Sequence, residues 1–474
     1  MNRPADGFGA RFALPLVLGP ALNSINTTMI SVALVPIADA TGTSVSQVVL
    51  LVAGLYLASA VAQPVMGKLV DLYGPRKIYV TGMALAALAG LVPLFAPTFA
   101  GALVSRIVVG VGTSAAYPAA MASIRVQATR VGREPPRELF SALSVSSLTS
   151  AAVGPVLGGV LVAGFGWPAI FVVNAPYGVA AIAFALRWLP GDRDRPRVAD
   201  GGAGGRGSLD VSGLVLFAVA VGTALVFALG LWPGRYWLPA VTAVAVAALV
   251  FWERRHPEPF LDVRTLTARP ALVRTYARLF LVYSCMYLVI YGMTQWLQAT
   301  AGYTADAAGW MQLPAVVLAG VAAALVSRGR GIRLPLLLAA AIPAAGGLLL
   351  TTLSHDSPTW VILAAIALFG PPQGLAAVSN QVALYRQAPD RQMGVSAGMS
   401  RTAVQLGAIA ASSVIGPLFG RGATDADLHV VGWIITALAA AALLLTATDP
   451  ALRRGRPPGD PPVPPDHDPR RSPR

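Results

Sequence analysis

A helix needs about 20 mainly apolar residues to cross the hydrocarbon of a bilayer. This chain carries fourteen such runs in succession between residues 12 and 448. That repetition constrains the fold more than any single motif. Within hydrocarbon the backbone must satisfy its own polar groups, which leaves helices or a closed barrel, and runs of this length specify helices. Composition agrees where it bears on the point. Charged residues are 12% of the chain, about half the share of a soluble domain, and the mean hydropathy is +0.65. Such a chain cannot build a charged, water-facing surface all round. Disordered proteins and soluble nucleic-acid binders are excluded on that ground. The expected fold class is an all-α membrane protein with 14 transmembrane helices.

The formal charge of +14 then needs a different explanation from a basic binding surface. Assigning loops alternately to the two sides puts 30 of the 35 Lys and Arg residues on one side and two, Arg235 and Arg421, on the other. Positive charge in short loops marks the cytoplasmic side, so both termini are expected to be cytoplasmic. The first run has Asn23 and Asn26 in its middle. It is too long and too polar for the core of a secretory signal and reads as a retained membrane helix. Cys285 is alone, so no intrachain disulfide exists.

Loop composition divides the chain. Residues 1–188 hold six runs, and 189–210 form a Gly-, Arg- and Asp-rich cytoplasmic linker. Residues 211–252 hold two further runs and 253–275 a basic connector. Residues 276–448 hold six more, and 449–474 form a Pro- and Arg-rich cytoplasmic tail expected to be disordered. The arrangement is 6+2+6.

The first cytoplasmic turn reads Gly67-Lys68-Leu69-Val70-Asp71-Leu72-Tyr73-Gly74-Pro75-Arg76-Lys77. Gly67 and Gly74 permit a tight turn and close helix approach, and Asp71 is placed to pair with cations, across the bundle if the halves meet there. The spacing of glycine, aspartate, glycine and paired bases resembles the signature loop of the major facilitator superfamily. In the fifth run, Gly154-Pro155-Val156-Leu157-Gly158-Gly159 resembles the antiporter motif of that superfamily's exporters. Physically, Pro155 removes a backbone donor and Gly154 with Gly158 is a small-xxx-small pair that admits a close neighbour. Trp167–Gly178, Phe251–Arg255 and Gly302-Tyr303 extend the likeness to the fourteen-span drug:proton antiporter branch. That resemblance implies a cell-membrane carrier that exports amphipathic small molecules by alternating access, as a monomer, with a proton as coupling ion and no other cofactor.

Polar residues within the runs are the candidate site, because they cost free energy in lipid unless paired or wet. Asn23, Asn26, Gln63, Arg106, Gln373, Asn380, Arg401 and Gln405 belong to this group. Tyr283, Tyr287, Tyr291 and Gln295 recur at steps of four on the ninth run, as a cavity wall or a packing stripe. Arg106 also resembles the superfamily's fourth-span arginine, which the resemblance links to coupling. Arg401 either faces the cavity or snorkels to the interface, and Arg278, nearer its boundary, is expected to snorkel. All 21 carboxylates fall in loops or at run ends. Where the related branch carries an aspartate in the first span, this chain has Asn26. With cationic points and no buried acid, the expected substrates are neutral or anionic. An importer that needs no proton, or a membrane sensor that does not transport, remains open. His256, His355, His429 and His467 are scattered, and neither a Cys/His cluster nor a phosphate-binding loop is present, so no catalytic or metal residue is assigned.

Overall fold

The computed structural model describes residues 7–192, 210–228, 230, 234–257, 259–329, 331–419 and 422–453. Among them no strand occurs. Fourteen long helices follow one another: α1 (Ala10–Met29), α2 (Val45–Tyr73), α3 (Pro75–Phe95), α4 (Phe99–Val131), α5 (Arg137–Phe165), α6 (Ala169–Trp188), α7 (Val211–Ala228), α8 (Leu238–Arg255), α9 (Pro270–Ala299), α10 (Ala307–Arg328), α11 (Arg333–Leu350), α12 (Thr359–Gln387), α13 (Met393–Phe419) and α14 (Asp425–Ala447). Twelve of them are long and apolar enough to cross a membrane. α1 makes a thirteenth if it is joined to the short helix Leu34–Thr41 across a 61° bend. α8 falls outside this standard because Glu253, Arg254 and Arg255 crowd its last turn.

Helix ends are set by local chemistry. Ser44 and Gln47 cap α2 reciprocally, and Thr424 with Asp427 does the same for α14. Between α2 and α3 the chain turns on Gly74 at φ 108°, and Pro75 opens α3. A Cβ at Gly74 would lie 2.3 Å from the Asp192 carboxyl carbon. That carboxylate accepts from the Arg76 and Lys77 amides (3.1 and 2.9 Å) and so caps α3. α5 runs unbroken through Pro155.

Helices α1–α6 pack among themselves and α9–α14 do likewise. The two groups meet along α2 with α13 and along α5 with α10, with α4 and α12 adding contacts. Apolar clusters show where they are joined. One large cluster at the end carrying the basic turns combines Val70, Tyr79, Ile124 and Phe140 with Leu272, Val326, Val382 and Met393. At the opposite end Met29, Leu51 and Phe171 form a cluster drawn from α1–α6 and their connections, and Met293, Trp296 and Phe419 form another drawn from α9–α14. The molecule is closed at its basic end, while at the other end the apolar clusters stay within each group and Tyr56 bonds Tyr291 between them. α7 lies along the α2–α13 seam. Leu225 packs with Ala60 and Ile409, and lower down Phe217 packs with Phe260, Val65 and Met399.

Three expectations are corrected. Arg278 does not snorkel: it is fully buried and pairs with Asp449 at 3.6 Å. Asp449, the first residue of the tail expected to be disordered, is buried, also meets Arg274 at 3.5 Å, and leads into the short helix Pro450–Arg453. Residues 454–474 lie outside the described residues. Finally, buried carboxylates do exist: Asp210, Glu253 and Asp449 are at most 3% exposed. The linker's two ends are thereby anchored, through Asp192 and Asp210, while 193–209 lies outside the described residues.

Candidate functional site

Two neighbouring cavities lie where the two helix groups meet. One, with about 310 Å³ of empty space, is lined mainly from the first half by Pro20, Asn23, Ser24, Gln63, Thr113 and Ser147. The other, about 290 Å³, is lined mainly from the second half by Leu279, Tyr283, Asn380, Gln381, Ser400 and Val404. Tyr117 and Arg401 belong to both linings. The Arg401 guanidinium lies over the Tyr117 ring, 3.8 Å from its centroid. A cation over an aromatic face is attracted by the ring quadrupole, which holds Arg401 at the boundary between the cavities instead of at the lipid interface. Among the described residues no carboxylate lies within 4.0 Å of it. Its charge is therefore uncompensated by any described acid, in a wall otherwise made of hydroxyls, amides and rings.

Several predicted residues converge here. Asn23 accepts from Thr113 (3.1 Å). Gln63 is buried, and its Oε1 has no hydrogen-bond partner. Asn380 accepts from Arg278 Nε (2.9 Å), so the second cavity's wall is tied to the buried Arg278–Asp449 pair. Gln381 donates to Ser144 across the halves (3.1 Å). Tyr283 begins a ladder of rings whose centroids are 6.5 Å (Tyr283–Tyr287) and 5.6 Å (Tyr287–Tyr291) apart. Tyr291 also hydrogen-bonds Tyr56 of α2 and Ser412 of α13.

Others lie elsewhere. Asn26 is locked with Asn174 of α6 in a reciprocal amide pair, 2.7 and 3.1 Å. Arg106 is 3% exposed and lines neither cavity. It donates to the Leu51 carbonyl (3.1 Å) and the Asn26 carbonyl (2.8 Å), and its Nη2 is buried without a partner. Backbone carbonyls, not a carboxylate, thus offset its burial. Gln295 is exposed, and Gln295, Gln373, Gln405, Tyr287 and Tyr291 are outside both linings. Gln405 Oε1 is buried and unpaired. Tyr117 was missed by sequence reasoning. The one signal for it is a large polar ring inside the small-residue stretch Ala115-Ala116-Tyr117-Pro118-Ala119, at the break between Phe99–Thr113 and Ala116–Val131.

The closed basic end is built by the turn residues. Asp71 Oδ1 and Oδ2 accept from the amides of Gly394 (2.7 Å) and Val395 (2.9 Å), at the start of α13. The carboxylate thus caps a helix N-terminus in the other half. A Cβ on Gly67 would meet the Gly394 carbonyl oxygen at 2.2 Å, and one on Gly398 the Gln63 carbonyl oxygen at 2.3 Å. Glycine at these positions is what lets α2 and α13 touch backbone to backbone. Thr402 adds a bond to the Ala60 carbonyl (3.0 Å). Arg76 and Lys77 serve their own half: Arg76 donates to the Leu189 carbonyl (3.3 Å) and to that of Leu186. In the proline motif, Cβ atoms on Gly154 and Gly158 would collide with Thr28 and Met29 of α1, at 2.0 and 2.7 Å, whereas Gly159 faces open space. The motif fits α5 to α1.

Two helical halves, closed at one end over a polar internal site and surrounded by exposed apolar side chains, define a membrane carrier. The comparisons agree. The profile described as Major Facilitator Superfamily matches residues 16–213 and again 211–412, and the chain belongs to that family. It is a multi-pass protein of the cell membrane, a transporter and not an enzyme. It is 31% identical over 453 residues to the uncharacterized transporter YwoD of Bacillus subtilis, covering 94% of this chain and 98% of the relative. It is 27% identical to the tetracenomycin C resistance and export protein of Streptomyces glaucescens, covering 90% of this chain and 79% of that one. In fold it is similar to the proton:xylose symporter XylE, with a TM-score of 0.65 at 14% identity, covering 94% of this chain and 97% of that one.

Proposed function

We propose that this protein is a proton-driven exporter of amphipathic small molecules, neutral or anionic, of the fourteen-span drug:proton antiporter branch. Both termini are cytoplasmic. Two six-helix halves, residues 1–188 and 276–448, rock about the paired cavities as a monomer, and the inserted pair 211–252 brings the span count to fourteen. With the basic end cytoplasmic, the structure is the outward-facing arm of the cycle, and opening of the α2–α13 seam gives the inward-facing arm.

The observation that carries this reading is Arg401. It is a cation shared by both cavities, stacked on Tyr117 and without a described carboxylate partner. An anionic or hydrogen-bond-accepting group completes such a site, whereas a lipophilic cation is repelled by it. The ring ladder above it offers apolar faces for the rest of an amphipathic molecule. Export is favoured by the resemblance of Gly154-Pro155-Val156-Leu157-Gly158-Gly159 to the exporters' antiporter motif and by the tetracenomycin C resistance and export protein among the relatives.

The test is transport into inside-out vesicles of a panel of amphipathic acids, neutrals and quaternary cations, with and without a pH gradient. The reading requires accumulation of acids or neutrals that collapses with the gradient. Accumulation that persists after the gradient is dissipated refutes proton drive and favours a facilitator. Preference for quaternary cations refutes the role given to Arg401.

A further inference from the structure

Outside the cavities, the cytoplasmic ends of α7 and α8 hold two buried carboxylates that the transport site does not use. Asp210, at the start of α7, accepts from the Gly213 amide (2.9 Å), Trp252 Nε1 (2.9 Å) and the Phe260 amide (3.3 Å). Glu253, one residue beyond the apolar run of α8, is fully buried. Its Oε1 accepts from the Leu261 amide (3.0 Å), and its Oε2 is buried with no hydrogen-bond partner among the described residues. A Cβ on Gly213 would lie 2.4 Å from Asp210 Oδ2 and 2.7 Å from Glu253 Oε1, so both acids crowd one point. Together they hold the turn Phe260-Leu261. Phe260 forms a buried cluster with Phe217 and Leu249, and Val65 of α2 and Met399 of α13, from the two sides of the seam that must part for the protein to face inward, pack against that cluster. Lys68 of α2 donates to the Pro259 carbonyl (2.8 Å) in the same turn.

We propose that Glu253 is a proton-binding site, separate from the substrate cavities, whose occupancy clamps the inserted helix pair across the closed α2–α13 seam. The inference rests on the rocking-halves reading for its consequence, but not on proton-driven export. The charged groups facing Glu253 are Asp210 from α7, Lys68 from α2 and Asp262 from the connector, with His256 4.0 Å from Asp210. From α13, Met399 packs against the neighbouring Phe217–Leu249–Phe260 cluster. A proton on Glu253 gives the orphaned Oε2 a neutral hydroxyl and removes the second of two adjacent negative charges.

Burial, reinforced by Asp210 and Asp262 against the Leu261 amide and Lys68, pushes the Glu253 carboxyl up from 4.5 to about 7. When the seam opens, Phe260 leaves its seat, water reaches Glu253 and the ordinary value returns. The closed state therefore binds the proton more tightly. Its advantage is full below the ordinary value, shrinks as pH rises from 4.5 towards 7, and is gone above that. Between pH 7.5 and 5.5 the closed-to-open ratio should rise roughly 20-fold.

Hydrogen exchange of the first turn of α13 in the full chain in nanodiscs, corrected for intrinsic rates, reads the seam without substrate. Wild type should gain about that protection on acidification, and Glu253→Gln should be protected equally at both pH values. Asp210→Asn, which removes a neighbouring charge, should move the midpoint to lower pH. Infrared difference spectra across the same range should show a protonated-carboxyl band in wild type that Glu253→Gln lacks. A pH response retained in Glu253→Gln, an unmoved midpoint in Asp210→Asn, or a band unaffected by either change overturns the proposal. Loss of export with these responses intact would strike the transport reading instead.

Discussion

Replacing Asp71 by Asn isolates what holds the basic end shut. The aspartate accepts two backbone amides of α13, at 2.7 and 2.9 Å, at the positive end of a 27-residue helix. A hydrogen bond to a charged group contributes about 1.5–3 kcal/mol, and a carboxylate at a helix N-terminus adds about 0.3–1 kcal/mol. Asparagine keeps one acceptor oxygen and loses both the charge and the second bond. The closed state should therefore lose about 2–3 kcal/mol, which multiplies the open-to-closed ratio by about 30 to 150. A cysteine at Ser396 reads that ratio, because Ser396 is 3% exposed and directly follows the latch amides of Gly394 and Val395. The native Cys285 is fully buried and does not compete for label. In inside-out vesicles, a membrane-impermeant maleimide should label Ser396→Cys at least tenfold faster in the Asp71→Asn background. An unchanged rate in a folded protein would mean that the seam is held by its other contacts, among them Gly67–Gly394, Gln63–Gly398 and Thr402–Ala60, and that the carboxylate is incidental.

Three further outcomes are expected. Arg401→Ala should weaken competition by anionic substrates about 10- to 100-fold, equivalent to a charged hydrogen bond of about 1.5–3 kcal/mol, with a smaller effect on neutral ones, in vesicle transport assays. Asp449→Ala leaves the Arg278 guanidinium buried without its carboxylate and should cost about 3–5 kcal/mol, seen as a lowered thermal transition in detergent; Arg278→Met combined with Asp449→Leu should recover most of the loss. His355 bonds Asp425 at 2.9 Å, and that bond with nearby Asp356 raises its pKa. This loop contact is thus fully present below His355's ordinary value and lost as pH rises through the raised one, so exchange of the 351–358 amides should quicken across that range.

The helices and the turn chemistry were legible because they are written locally. Apolar run length marks spans, and Gly67, Asp71, Gly74 and Pro75 describe their own turn. That Asp71 holds the start of α13 was not legible, since the backbone amides it accepts from lie 323 and 324 residues away and have no side-chain signature. Arg278 was misplaced for a definite reason. Hydropathy starts the ninth run at Tyr276, but Pro270 at the first helical position starts α9 two turns earlier, which carries Arg278 inward to Asn380 and Asp449. Asn26 looked like a cavity residue until its partner Asn174 appeared, 148 residues on. The Arg401–Tyr117 pair joins opposite halves, which periodicity within one helix cannot reveal.

The placement of α7 has a consequence in the plane of the bilayer. The two halves meet along two seams, α2 with α13 and α5 with α10. The first is roofed along its length by α7, whose last residue Ala228 accepts a bond from Ser413 (3.0 Å). Beside the second, Val156 and Val160 of α5 and Val317 and Leu325 of α10 stand 60–69% exposed. The protein therefore has a front and a back as seen by lipid. Lipids and neighbouring proteins meet a seam covered by a helix on one flank and an uncovered apolar face on the other.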